Sequence, residues 1–413
     1  MWMAGYASRT NVSQGTALDL HAKALALQDA RSNRLVVVTM DLIGVPRVMR
    51  KNLERRLREA HRLAPENFVL NASHTHCGPE FRVGKTPADD GEFNPSSAGA
   101  VFGERLENQI FQIIGAALSN ASPARVAFTH ARCGFAMNRR LPTGTNFNNS
   151  PYPDGPVDHD VPVLRVDGAD GKLRAVLFGY ACHNTTLSFY RFCGDYAGFA
   201  QKFFEADHPG VTALFMTGCG GDQNPYPRGT IELAQQHGRS LATAIEAALL
   251  PKPRVLAGPL RSMIQEIDLA YAPPSREEFE RRLASKNKYE VQHATRMLAI
   301  LKGGGKLPEK YSYPVQVIQF GYDLTLVALA GETVVDYSLR LKRELGGPAV
   351  WVSGYNNDVM AYIPSRRVLR EGGYEASGAM MFSLIHPGPW ADDTEDRIIG
   401  AVRKLDNALK NPR

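Results

Sequence analysis

Two imidazoles separated by one residue, His74 and His76, lie in the run Ser73-His74-Thr75-His76-Cys77-Gly78-Pro79, just after the apolar residues Phe68-Val69-Leu70. Side chains at i and i+2 of an extended strand project to the same face, so both rings could look into one cleft. Gly78-Pro79 would end the strand there. Neutral imidazole is a metal ligand, and the pair reads as half of a metal site; the competing reading is a hydrogen-bonded polar pair. His183, in Ala181-Cys182-His183-Asn184, follows another apolar run, and Glu332 follows a third in Gly331-Glu332-Thr333. With the Gly-rich segment 218–225, polar groups thus stand at four expected strand ends. Three ligands of N and O type plus an open position are the layout of a catalytic zinc site, where a bound water is acidified and can attack a carbonyl. Taken singly, His183 reads as a core histidine bonded to backbone, and Glu332 as a carboxylate at a helix N-terminus.

Other chemistries lack their residues. No HExxH occurs, the segment 218–225 is without the Lys-Ser/Thr of a phosphate loop, and no G-x-S-x-G elbow is present. The net charge of +6 is small for 413 residues. The basic residues Arg47, Arg50, Lys51, Arg55, Arg56 and Arg58 alternate with Glu54 and Glu59, which is a solvated helix face and not a nucleic-acid surface. The 5 cysteines are too few and too unevenly spaced for a disulfide framework. No run approaches the roughly 18 apolar residues that cross a bilayer. Met1-Trp2-Met3-Ala4-Gly5-Tyr6 carries neither the basic nor the apolar region of a signal peptide.

The elements that must position these groups read as mixed α/β. Arg34–Leu42 is a buried strand, residues 46–62 an amphipathic helix with Pro46 in its first turn, and residues 67–73 a second strand ending at the histidine pair. That order is a βαβ unit, and strand carboxyl ends in such sheets are where sites form. A helix at about 103–119 and a strand at 125–130 follow, then a loop rich in Asn, Pro and Gly over 137–160. Strands at 161–166 and 174–181, the second leading into His183, precede a helix near 196–206, a strand at 212–216 and a helical stretch at 230–249. Residues 274–303 are charged and helical, and 274–310 reads as a helical insertion. The strand at 324–330 leads to Glu332, which opens a helix, and Trp351-Val352-Ser353-Gly354 is a last strand end. A mixed central sheet flanked by helices, in one compact catalytic domain spanning 1–413, is the expected architecture.

An ordered series of short motifs resembles the catalytic domain of the neutral (alkaline, non-lysosomal) ceramidases. The series runs Met3-Ala4-Gly5-Tyr6-Ala7, Ser73 to Pro79, Asn138-Arg139, Ala181-Cys182-His183-Asn184-Thr185-Thr186, Asp195-Tyr196-Ala197-Gly198, Gly221-Asp222 with Pro225, Gly331-Glu332-Thr333, the Tyr362 loop and Tyr374-Glu375-Ala376-Ser377. The resemblance implies a ceramidase-type α/β domain with a zinc site at strand ends. It implies His74, His183, Glu332 and Tyr374 as zinc ligands, with His76 and Arg139 lining the pocket and Tyr362 stabilising the oxyanion. His76 would protonate the leaving amine. The implied activity is hydrolysis of an amide bond of an N-acylated amine: the sphingolipid ceramide, or a more polar N-acyl substrate. No nucleic-acid partner follows from it. A secreted or periplasmic location is implied if a leader has been removed.

The chain departs from the family at one motif. Gly221-Asp222-Gln223-Asn224-Pro225 carries Asn224 where ceramidases have a serine. Asn224 and Asp222 are therefore read as substrate-binding. The sequence also stops at residue 413, without the family's C-terminal immunoglobulin-like domain. Two alternatives stand beside the amidohydrolase: a non-catalytic protein that keeps the metal pocket to bind a ligand, and an ester or lactone hydrolase using the same cleft.

Overall fold

A computed structural model describes residues 1–83, 97–346, 349–383 and 385–411. The first layer is the expected βαβ unit with one strand added in front. β1 (Ala22–Gln28) runs antiparallel to β2 (Arg34–Met40), α1 (Arg47–His61) crosses over, and β3 (Phe68–Ala72) lies parallel to β2 with Val36 opposite Phe68. The strand pleat divides β2 between two cores. Val36 and Val38 pack with Leu53 and Leu57 of α1 and with Ile110 and Ile114 of α2 (Ala98–Ser119), whereas Leu35 and Val37 face Leu177, Leu214 and Leu326. A strand buried on both faces must be apolar throughout, which is why its sequence is a run and not an alternation.

The second layer holds β4 (Ala124–Arg132), the hairpin β5 (Ala136–Thr143) and β6 (Asn146–Tyr152), β7 (Asp160–Gly168) and β8 (Leu173–Tyr180). The hairpin replaces the loop expected over 137–160. Thr143 pairs with Asn146 around a two-residue turn whose first position is Gly144 at φ 62°, the backbone that a Gly-first hairpin turn needs. An Asn-rich strand hid this pairing. α3 (Asp195–Asp207), β9 (Thr212–Thr217), β10 (Gln223–Pro225), α4 (Ile231–Leu249) and β11 (Arg254–Val255) follow. β8 and β9 are parallel, and β10 pairs with β5.

In the third layer β12 (Leu260–Ala270), β13 (Lys310–Phe320), β14 (Leu324–Leu329) and β16 (Val350–Ser353) form one sheet. Between β12 and β13 the helical segment is two helices, α5 (Arg276–Arg282) and α6 (Lys288–Lys302), joined by a small apolar cluster of Phe279, Ala294, Met297 and Leu298. Glu332 does not open a helix directly. It lies in the two-residue strand β15 (Glu332–Thr333), and α7 (Val335–Leu345) starts after it. β17 (Tyr362–Ile363), α8 (Arg366–Glu371) and α9 (Thr394–Lys410) complete the order. Among the described residues the strands divide among five sheets instead of one central sheet.

The layers are tied where strands end. Thr217 Oγ1 donates to Ala72 O at 2.8 Å, Ser353 Oγ donates to Thr217 O at 2.7 Å, and Asn71 Nδ2 donates to Gly354 O at 2.9 Å. The carboxyl ends of β3, β9 and β16 are thereby clamped into one floor.

Candidate metal centre

His74 reaches the floor through a turn and not through the strand pleat. β3 stops at Ala72, and His74 sits at φ 61°, in the left-handed region that non-glycine residues avoid. Its Nδ1 donates to Ile43 O at 2.6 Å. His183, three residues beyond β8 and fully buried, is held in the same manner, with Nδ1 against Gly220 O at 2.6 Å and its backbone N–H on Gln223 O at 2.9 Å. A carbonyl partner fixes the proton on Nδ1 and leaves the Nε2 lone pair facing inward, as in a metal-ligating histidine.

Glu332 and Tyr362 arrive side by side because β15 and β17 are parallel with these two residues as direct partners. Gly221 permits this approach: a Cβ there would stand 2.6 Å from Glu332 O. Glu332 Oε2 lies 3.1 Å from His74 Nε2 and 3.2 Å from His183 Nε2, and Tyr362 OH lies 3.1 Å from His183 Nε2. His76 Nε2 is 3.1 Å from His74 Nε2, and its buried Nδ1 has no partner among the described residues. The Tyr6 ring meets His76 edge-on at 4.6 Å, and Gly5 at φ 98° lies so close that a Cβ would meet His76 Cγ at 2.6 Å.

This arrangement fits a cation. The Nε2 atoms of His74 and His183 and the Glu332 carboxylate are all acceptors, and buried Glu332 Oε2 has no hydrogen-bond donor among the described residues. Acceptors packed against one another repel unless a positive charge lies among them. Ligand atoms on a tetrahedral zinc with bonds of about 2.1 Å stand about 3.4 Å apart, close to the 3.1 and 3.2 Å separations found here. Nitrogen and oxygen donors of this kind suit zinc. One nitrogen from each of His74, His76 and His183 also falls within 4.8 Å of the others. Among the described residues His74 and His183 share the Glu332 oxygen, whereas the His76 Nε2 lies at hydrogen-bond distance from His74 Nε2.

Protonation states agree with ligand chemistry. Burial and the neighbouring Arg139 push the His183 imidazole down to about 4. Burial, with His74 and His183 beside it, holds His76 well below the usual imidazole range.

Arg139, on β5, is buried. Its Nη2 donates to Tyr362 OH at 2.9 Å, its Nε to Glu375 Oε1 at 2.8 Å and its Nη1 to Asn224 Oδ1 at 3.1 Å. Asn224 is 1% exposed and also accepts from Thr185 Oγ1 at 3.2 Å, so its carbonyl faces protein on two sides. Asp222 is wholly buried, accepting from Val335 N at 2.8 Å and from Asn138 Nδ2 at 3.1 Å; it anchors the start of α7 away from the cleft lining. Tyr374, expected among the ligands, is 37% exposed and stands at the mouth with its ring centroid 5.5 Å from that of Tyr362. Burial pushes its hydroxyl up to about 12, so it keeps its proton at neutral pH.

From Glu332 and Tyr362 a cleft of about 600 Å³ opens to the surface. Ile43, Met360, Ala376, Met380 and Phe382 give it an apolar wall, and Ala4 to Ala7 form the opposite lip. Sequence reasoning assigned nothing to Glu375 or to Tyr355. Glu375 bridges Arg139 and Arg140, the latter at 2.6 Å, and two adjacent buried arginines require such a carboxylate. Tyr355, at φ 58°, backs the His74 ring at 4.6 Å; no pattern in its Gly- and Asn-rich loop signals that position.

Residues 1–235 match the family described as neutral/alkaline non-lysosomal ceramidase, N-terminal. Neutral ceramidase B of Dictyostelium discoideum is 25% identical over an alignment of 261 residues that covers 54% of this chain and 33% of that protein. The chain thus spans about a third of the length of the curated relative it matches. The crystal structure of neutral ceramidase from Pseudomonas aeruginosa superposes with a TM-score of 0.72 at 20% identity, covering 99% of this chain and 71% of that one. A ceramidase complexed with C2 gives 0.75 at 19% identity, covering 99% and 72%. Those two likenesses establish the fold, and the match over residues 1–235, more than half of the chain, establishes the family: the chain belongs to the neutral/alkaline non-lysosomal ceramidases.

Proposed function

We propose that this protein is a zinc-dependent hydrolase of an amide bond in an N-acylated amine, ceramide or a more polar relative. The observation that carries this reading is the set of mutually facing acceptors on His74, His183 and Glu332, with the Tyr362 hydroxyl at His183 Nε2, at the floor of an apolar-walled cleft. In this reading the two tyrosines exchange the roles expected from sequence. Tyr362 joins the ligands because its hydroxyl stands at His183 Nε2, whereas Tyr374 faces the cleft mouth. Zinc held there supplies a Lewis acid that polarises the scissile carbonyl and acidifies a water.

The chain's own residues supply the rest. Tyr374, protonated and at the mouth, donates to the carbonyl oxygen as negative charge develops. His76 is neutral in its buried position and so can accept a proton from the attacking water and return it to the leaving amine. Arg139 fixes Tyr362. The apolar wall from Ile43 to Phe382 takes the acyl chain and excludes water around the reacting groups. Asp222 is left a structural task, and Asn224 is considered below.

The test is amine release from N-acyl amines of graded chain length by zinc-replete protein. The reading expects turnover that rises with acyl length. Zinc retention without turnover on amides, esters or lactones would favour the ligand-binding alternative, and faster ester or lactone cleavage would favour the other.

A further inference from the structure

We infer that Asn224 is a positioning residue that orients Arg139 toward Tyr362, acting at the position where the family motif carries serine. The inference rests on the proposed metal-assisted reading only for its effect on turnover; its geometry stands apart from it. Glu375 alone cannot fix the guanidinium. It meets Arg139 through one oxygen, at Nε, while its other oxygen goes to Arg140. A single contact leaves the guanidinium plane free to turn about that bond, whereas bidentate contacts set it. The second point is Asn224 Oδ1 on Nη1 at 3.1 Å, which leaves Nη2 directed at Tyr362 OH, 2.9 Å away.

Asn224 is itself well fixed. β10 pairs with β5 so that Asn224 lies opposite Met137, which puts Arg139 at the diagonal neighbour position on the same face. Thr185 Oγ1 donates to the same Oδ1 at 3.2 Å, ordering the amide so that its oxygen, not its nitrogen, faces the arginine. The residue needs only an acceptor, not a nucleophile or an acid, and a serine hydroxyl is also an acceptor.

The test is a double-mutant cycle of Asn224→Leu and Arg139→Ala, read in kcat, KM and zinc affinity by chelator competition, with Asn224→Ser as the conservative variant. Losing a charge-assisted contact should lower kcat about 10- to 100-fold with KM within about 3-fold. It should weaken zinc about 10-fold, as loss of an outer partner of a ligand does. Asn224→Ser should stay within about 3-fold of the native protein, and Asn224→Leu should cost nothing further in the Arg139→Ala background. Equal losses with and without Arg139, or a serine variant as impaired as the leucine one, would overturn the inference. Zinc affinity reads the cycle even if Arg139→Ala is too slow to assay. Native protein that binds zinc but releases no amine defeats the proposed reaction alone, and the affinity cycle still decides the role of Asn224.

Discussion

Replacing Tyr362 with Phe and Tyr374 with Phe tests the proposed ligand against the proposed substrate donor. Tyr362→Phe should weaken zinc about 10-fold or more and lower turnover with it, because its hydroxyl belongs to the acceptor cluster. Tyr374→Phe should keep full zinc and lose about 10²-fold in kcat, the cost of one oxyanion donor. Equal zinc affinity in the two variants, by chelator competition, would reject the exchange of roles. His76→Gln should likewise retain zinc while turnover falls about 10²-fold or more; a zinc-free variant would make His76 a ligand. At this scale the sequence pointed to His74, His183 and Glu332, each just beyond an apolar run. Resemblance assigned Tyr374 to the metal and Tyr362 to the oxyanion, whereas which hydroxyl turns inward depends on the pairing of β15 with β17, thirty residues apart in the chain. The His74 turn was equally hidden, since nothing in Ser73-His74-Thr75 demands a left-handed backbone.

At the scale of elements, the site depends on close approach of β10's loop to β15. Gly221→Ala would push a methyl group against Glu332 O and Thr333 O. It should destabilise the fold by about 1–3 kcal/mol and displace Glu332, so both urea midpoint and zinc affinity should drop together. Wild-type values for both would show that the approach tolerates a side chain. α7 is anchored by Asp222, whose carboxyl is pushed up to about 6 by burial and by Asp336. The folded chain then keeps a proton there that the unfolded chain releases near 4, so this group's contribution to stability falls as pH rises from about 4 to about 6 and is flat above. Relative to Asp222→Asn, the native protein should lose up to about 3 kcal/mol between those limits in urea titrations. Parallel pH profiles would contradict this. Strong periodicity made β2, α1, β3 and α4 legible. The long strands β12 and β13 were missed although β12 alternates charged residues such as Arg261, Glu266 and Asp268 with apolar ones, because Glu and Asp are poor strand residues, and the Asn-rich hairpin β5–β6 read as a loop.

At the scale of the whole molecule, the three layers meet at one floor, where acceptors of His74, His183 and Glu332 face one another. Zinc should therefore raise the thermal midpoint, and a chelator should lower it, by mass action on the folded state. An unchanged midpoint across the zinc-replete and chelated protein would speak against a metal held between the layers. The most direct measurement is the rate of amine release from an N-acylated amine before chelation, after chelation and after zinc is returned. The account predicts that the rate is lost with the metal and recovers as zinc approaches one equivalent. A rate that persists once zinc is gone, or zinc-replete protein that releases no amine, would contradict it.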